Sequence, residues 1–524
     1  METSLAYSII LSLVLITFCT CARKILSLFL LKPKKLERFL RRQGLNGTAY
    51  RLLFQDLRGI IRMNKQVQSQ PIAPFSNDIV PRVLPFYHHS IKKYGKLCFT
   101  WLGPMPVLNI MDSDMLKEIF SRIDEFEKPH PARIADILAS GLLDIEGEKW
   151  AKHRKIINPA FHYEKLKVLL LGANHFLTNC EEMIRGWEKQ SLAGDADVWP
   201  HLQHLTGDVL CRAAFGGTYD QVKGIVLLQQ EQIGLANKIQ QLAFIPGWNL
   251  LPTKLNKRMK EIDHKVKGLL EDVVTKREKA VKEGGVDDED LLGLLLKSNR
   301  KEIQESGHQN GMSIEDVIQE CKAFNFAAQT TSILLTWTLI LLSKHKSWQD
   351  RAREEVLQVF GNKKPHFDGL SQLKIVSMIL NEVLRLYPPA YMTARTVHRT
   401  TKLGDIQIPP GVLLLVPIIL IHHDPEIWGD DAREFNPERF SEGVSKATKN
   451  KLCFFPFSWG PRNCIGQNFA FLEAKVALTL ILQNFSVQLS PSYKHAPIPM
   501  LTLHPQHGVP LKLTRIGSNS SVPI

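Results

Sequence analysis

Between Ser313 and His345 the chain reads SIEDVIQECKAFNFAAQTTSILLTWTLILLSKH, with no glycine and no proline. Ser313 with Asp316 three residues later is a capping-box signal, so a helix is expected to start there. Nothing interrupts it for about 30 residues, which makes a rod of about 45 Å. From Ala323 to Leu342 it is apolar nearly all round, and a helix of that kind is buried on every side. Gln329, Thr330, Thr331 and Ser332 stand at its midpoint. One threonine could bond back to the preceding turn; four adjacent polar residues favour a helix that crosses a cavity.

A second stretch, Phe457–Gly466 (FSWGPRNCIG), centres on Cys464. Gly460 and Gly466 flank it, with Phe457 and Arg462 ahead. The glycines allow backbone angles that other residues reach only with strain, so a tight loop is expected. Its amides can then point at the sulfur, and a thiolate that accepts such bonds near a cationic arginine is stabilised in its ionised form. A single ionised cysteine suits one axial bond to haem iron. The eight cysteines, at 19, 21, 98, 180, 211, 321, 453 and 464, include no CxxC pair and no zinc-spaced Cys/His cluster. Their scatter argues for reduced thiols on the cytosolic side of a membrane.

Trp150 and Arg154 (GEKWAKHRK) are four apart and share one helical face. Glu382 and Arg385 (NEVLRLYPP) are three apart and can pair, before Pro388-Pro389 ends the helix. FNPERF supplies Arg439. In this order, with the long helix and the Cys loop, these motifs resemble the cytochrome P450 enzymes over essentially the whole chain. The resemblance implies a mainly α fold with small β-sheets, as one large catalytic domain. It implies haem b with Cys464 as axial iron ligand, inside a loop that includes Phe457, Arg462 and Gly466. It assigns Trp150, Arg154 and Arg395 to the haem propionates, for which arginine is the natural partner. Glu382, Arg385 and Arg439 become a buried structural cluster that positions the Cys loop. More narrowly, GEKWAKHRKIINPAF, IPGWNLLPTKLNKRMKEI, SKHKSWQDRAREEVLQVFG and SYKHAP are similar to the plant group containing secologanin synthase and triterpenoid oxidases. That implies a hydrophobic terpenoid substrate: an iridoid, a triterpenoid or a diterpenoid hormone.

The formal net charge is +14, yet twelve Lys/Arg against two acids between Arg23 and Lys65 account for +10 of it. A basic block beside an apolar segment fits an anionic membrane surface better than nucleic acid, and no nucleic-acid role is expected. Leu5–Ala22 is apolar apart from Ser and Thr, close to the length that spans a bilayer. Glu2 precedes it where a signal peptide would be basic, and Arg23-Lys24 follow where cleavage would fall. The expected organisation is a membrane anchor over 1–31, a basic connector with one amphipathic helix over 32–75, and the haem-binding catalytic domain over 76–524. The anchor crosses the endoplasmic reticulum membrane once, with the catalytic domain in the cytosol. A strand pair is expected near 97–111, around Gly103-Pro104. Residues 165–300 read mostly as amphipathic helix.

The resemblance implies a monooxygenase that takes molecular oxygen and NADPH electrons, the latter from a membrane-bound reductase because this chain has no dinucleotide motif of its own. One departure stands out. The family has a small residue, Gly, any residue, an acid and Thr in the long helix, where acid and threonine pass protons to dioxygen. Here Ala327-Ala328-Gln329-Thr330-Thr331-Ser332 has no acid. Either Thr330 replaces it, or one residue is deleted; Leu334-Leu335-Thr336-Trp337 fits the deletion better, and a deletion rotates the helix beyond it by about 100°. The catalytic set is then Gln329, Thr330 and Thr331, and an active but uncoupled hydroxylase is expected. A haem-thiolate isomerase or dehydratase, which needs neither the acid nor NADPH, and a poorly active haem-binding paralogue are the alternatives. Segments 133–143 and 391–396 are candidate substrate-lining stretches without a diagnostic group.

Overall fold

The computed structural model describes residues 2–51, 55–73, 76–129, 141–169, 175–192, 194–216, 219–239, 251–283 and 290–516. Most of candidate segment 133–143 therefore lies outside the described residues. The chain forms two compact units, one from residues 1–66, 84–129 and 394–417, the other from 67–83, 130–393 and 418–524.

In the first unit a five-stranded sheet runs in the order Asn46–Gly47, Cys98–Leu102, Met105–Asn109, Leu413–Val416, Thr393–Thr396. The expected strand pair is its centre, antiparallel with Thr100 opposite Val107 and Leu102 opposite Met105. Where one helix was expected in the connector there are two, Lys32–Arg42 and Gln55–Gln68, with a short strand between them. That strand pairs in parallel with Cys98–Leu102. Leu36 and Leu40, one turn apart, are buried, so the first helix uses its apolar stripe for packing. Asp56 completes the join: its carboxylate accepts the Trp101 amide at 2.9 Å and the Thr48 hydroxyl at 2.5 Å. Burial raises its pKa. A two-residue strand and one buried acid carry no periodic signal, which is why the sequence showed a tether there.

Ahead of Lys32 stand the helix Glu2–Leu26 and a five-residue π turn, Ser27–Leu31. Leu11 is 72% and Phe18 70% exposed, so the described side chains of this helix leave their apolar surface open. The hydroxyls of Thr17 and Thr20 bond back to Leu13 and Ile16 carbonyls at 2.7 Å, which removes their need for water. An apolar helix of this length and exposure suits a bilayer.

The second unit is built on the long helix, Ile314–Lys344. Its capping box is present: Asp316 donates its amide to the Ser313 hydroxyl at 3.1 Å, and its carboxylate accepts the Ser313 amide at 3.0 Å. Helices Val198–Phe215, Lys254–Lys282, Lys374–Leu386 and Gln467–Asn484 pack on it. Trp337 and the run Leu339–Leu342 are fully buried. The helix is α throughout, so no bulge absorbs the rotation expected of a deletion. At its midpoint Ala327 is exposed and Gln329 and Thr330 are half-buried, an accessible turn between the buried stretches 320–325 and 331–342. Small sheets complete the unit: Ala196–Asp197, Pro510–Arg515 and Phe485–Leu489 in one, Pro497–Pro499 with Leu503–Pro505 in another.

Candidate functional site

The Cys loop closes through backbone bonds from the Cys464 amide to the Phe457 carbonyl at 2.8 Å and from the Asn463 amide to the Gly460 carbonyl at 3.1 Å. Its tight turn is made by Ser458 at φ +63° and Gly460 at φ +73°. Gly466 is not part of that strain: its φ is −87°, and it caps the helix Gln467–Asn484. A Cβ there would lie 4.0 Å from the Cys464 sulfur, an ordinary van der Waals contact. Phe457 packs on Phe471 of the same helix, ring centres 5.7 Å apart.

Helix Gly147–Ile157 brings its two sequence-predicted residues to this loop. Arg154 donates to the Asn463 carbonyl at 2.8 Å and to its side-chain oxygen at 2.9 Å. Burial lowers the Arg154 pKa, and the neighbouring Cys464 charge opposes that shift. The Arg462 guanidinium lies over the Trp150 ring at 4.4 Å, donates to the Ile145 carbonyl at 2.9 Å and pairs with Glu146. A single helical turn thus touches two consecutive residues of the Cys loop, Arg462 and Asn463.

That helix is itself fixed by a contact the sequence did not reveal. His153 Nδ1 lies 2.6 Å from Glu320 on the long helix, both side chains being buried. The second Glu320 oxygen accepts the Leu142 amide at 3.1 Å. Gly141 is obligatory beside it, since at φ +73° a Cβ would come within 2.6 Å of that carboxylate. His153 falls between Trp150 and Arg154, on the face a helical wheel assigns to the core; Glu320 had no such signal.

The Glu382–Arg385 pair is fully buried, with bonds of 2.7 Å from the Arg385 Nε and Nη2 to the two carboxylate oxygens. Arg385 also donates to the carbonyls of His422, Ala432 and Glu434 at 2.8, 2.6 and 3.1 Å. Arg439 joins less closely than the resemblance implies. Its Nε is 3.6 Å from Glu382, while its Nη2 lies 2.5 Å from Asp431, a partner the motif does not name. The Arg439 hydrogen bond holds the Asp431 carboxyl below its usual range. The link to the Cys loop runs through His422, whose ring nitrogen accepts the Phe455 amide at 3.3 Å. Burial, reinforced by Arg385, pushes His422 down to about 3, so it stays a neutral acceptor.

In the middle of the long helix the four polar residues separate. Thr330 and Ser332 bond back to Ala327 and Gln329 carbonyls at 2.7 Å. Thr331 instead is buried. Arg395 belongs to the first unit, buried with its guanidinium over Phe120 at 5.2 Å.

The cytochrome P450 family profile matches residues 83–513. The chain is a cytochrome P450. It is 53% identical over 490 residues to cytochrome P450 CYP72A219 of Panax ginseng, covering 92% of this chain and 94% of that one. With 11-oxo-beta-amyrin 30-oxidase of Glycyrrhiza uralensis it shares 50% over 497 residues, 93% and 94% of the two chains. With cytochrome P450 72A15 of Arabidopsis thaliana it shares 48% over 521 residues, 98% and 100%. The P450 is thus a monooxygenase of the haem-thiolate class.

The residues present fit that cofactor. Of the cysteines beyond the anchor, 98, 180, 211, 321 and 453 are buried and Cys464 is exposed. Burial pushes Cys98 and Cys453 up to about 11 and Cys211 to about 12, so these remain inert thiols. Cys464 alone combines access with a neighbouring guanidinium. Among the described residues no three His, Cys, Asp or Glu side chains gather as a metal-binding group. A donor set of one sulfur, flanked by arginine and space, suits axial ligation of haem.

Proposed function

We propose that this P450 oxidises a plant terpenoid, with triterpenoids first among the candidates, at the endoplasmic reticulum membrane. The observation that carries the substrate class is its 50% identity, over 93% of the chain, to an enzyme named for oxidising 11-oxo-beta-amyrin. Bound through Cys464, haem would supply activation of dioxygen for insertion of one oxygen atom into a C–H bond. The protein's part is binding, orientation and control of protons. Cys464 provides the anionic ligand, and the Phe457 carbonyl and Asn463–Arg154 contacts hold its loop in one geometry. Trp150, Arg154 and Arg395 are assigned to the propionates, with Arg462 stacked on Trp150 to hold the indole. Glu382, Arg385 and Arg439 support the loop from behind. Electrons come from NADPH through a separate reductase docked at the same membrane.

The test is turnover of a panel of triterpenoids, iridoids and diterpenoids by microsomes that contain this chain and a reductase. A product heavier by one oxygen, formed only with NADPH, is expected from a triterpenoid. Product formed equally without NADPH would establish isomerase or dehydratase chemistry instead, and oxidation of no terpenoid would remove the substrate assignment.

Residues 1–31 are proposed as anchor, with the catalytic body on the cytosolic face. A chain beginning at Lys32 should load haem normally while staying partly on anionic vesicles until salt is raised, because the basic helix Lys32–Arg42 remains. Truncation removes, among others, the bond from the Tyr50 hydroxyl to the Phe29 carbonyl at 2.6 Å, worth about 1 kcal/mol. Complete loss of haem from the truncated chain would place the anchor in the folded core.

A further inference from the structure

Helix Gly147–Ile157 is in contact with two neighbours, the long helix and the Cys loop. Two rungs join it to the long helix. Lys149 meets Asp316 at 2.7 Å and, one turn on in both helices, His153 meets Glu320 at 2.6 Å. The Lys149 side chain is more than half exposed, so its rung is worth little. The same holds for Lys155, which reaches Glu302 at 2.8 Å from an equally open position. The His153–Glu320 rung is buried on both sides. A buried hydrogen-bonded pair fixes register, because a slip along either helix leaves both partners unsatisfied. Ile156 and Ile157 are buried too, but apolar packing is less particular about register.

Glu320 is the centre of a three-way junction. One carboxylate oxygen accepts from His153 Nδ1, and the other accepts the Leu142 amide at 3.1 Å. Leu142 belongs to the 3-10 turn Gly141–Leu143, a few residues ahead of the helix. The acid therefore holds both the body of the helix and the chain that leads into it. Arg154 follows His153 by one residue, about 100° round the helix. Its guanidinium spans the backbone and side-chain oxygens of Asn463, the residue before Cys464. Trp150, one turn earlier, carries the Arg462 guanidinium on its ring. All three side chains leave one turn, so a shift at His153 moves both contacts to the Cys loop.

We propose that Glu320 is a positioning residue for the iron ligand. Through His153 it sets the register of helix Gly147–Ile157, and so holds Arg154 on Asn463 and the Cys464 sulfur in one place. The motif that names Trp150 and Arg154 includes neither partner of this pair.

The inference rests on Cys464 as iron ligand and is independent of the terpenoid assignment. It is tested on the haem-loaded full chain, by the share of bound haem that shows the red-shifted band after reduction under carbon monoxide. A role in stability alone would lower yield and thermal midpoint but leave every loaded chain with that band. Glu320→Ala should lower the share, the remainder absorbing where haem without its thiolate does. Haem should also pass to apomyoglobin about 10-fold faster, the scale expected when a group that orients a ligand without touching the metal is removed. Glu320→Gln is the conservative variant. Its amide oxygen still accepts from Leu142, and its NH2 donates to His153 once the imidazole proton moves to Nε2. That nitrogen lies 3.7 Å from Asp316 and has no hydrogen-bond partner among the described residues. Glu320→Gln should therefore keep most of the band. If Glu320→Ala loads no haem, His153→Leu serves against His153→Asn, whose amide nitrogen takes the place of Nδ1: the first should lose the band and the second retain it. A Glu320→Ala or His153→Leu chain with the full parental band overturns the proposal, as does equal loss from Glu320→Gln. A parent chain that loads haem without the band overturns the ligand assignment itself, and this inference falls with it.

Discussion

Cys464→Ser is expected to abolish the red-shifted absorption band of the reduced, carbon monoxide-bound protein, the band that gives cytochromes P450 their name. A serine hydroxyl in this loop does not ionise near neutral pH, so it brings no anionic ligand to iron. The backbone bond to the Phe457 carbonyl and the Arg154–Asn463 contacts do not involve the sulfur, so the loop itself should survive. The loss should therefore be of the band and of turnover, with secondary structure and thermal midpoint close to the parent. Cys453→Ser is the matched control. That thiol is buried and held at about 11, and its replacement should leave the band in place. A band retained in Cys464→Ser would make the ligand assignment wrong.

Arg385→Ala should yield almost no haem-loaded protein. The substitution leaves Glu382 fully buried, with the Asn436 amide at 2.9 Å as its closest remaining donor. It also strips a donor from the carbonyls of His422, Ala432 and Glu434. Breaking a buried pair in this way costs about 3–5 kcal/mol, a large part of the roughly 5–15 kcal/mol that holds a folded protein together. The damage lands on the site because His422 anchors the Phe455 amide, two residues before Phe457. Arg439→Ala should do less: Asp431, its nearest acid, is 48% exposed and can be hydrated once abandoned. Haem content per folded chain and urea midpoints measure both. Normal haem content in Arg385→Ala, with turnover alone impaired, would assign this arginine a chemical role instead.

Much of the site was legible because its residues are held by short-range rules. The Ser313–Asp316 capping box, the Glu382–Arg385 pair and the Cys464 loop each depend on neighbours within a few positions, so their spacing is written along the chain. The strand pair around Gly103 follows from the same kind of local pattern. Even so, local reasoning gave Gly466 a special backbone angle, and the structure has it at an ordinary φ of −87°. Strain fell on Ser458, a residue type that gives no warning of it.

The order of residues alone was thus enough for the element types, the apolar N-terminal helix, the Cys464 loop and the family to which these belong. Which side chains meet across elements was decided only by the tertiary structure. Glu320 meets His153 over a separation of 167 positions, far beyond any helical or strand repeat, and Asp431 takes Arg439 from outside the PERF motif. In the sequence Glu320 looks like a solvated charge; burial converts it, because a carboxyl removed from water must find a partner or keep its proton, and that choice depends on what the fold packs beside it.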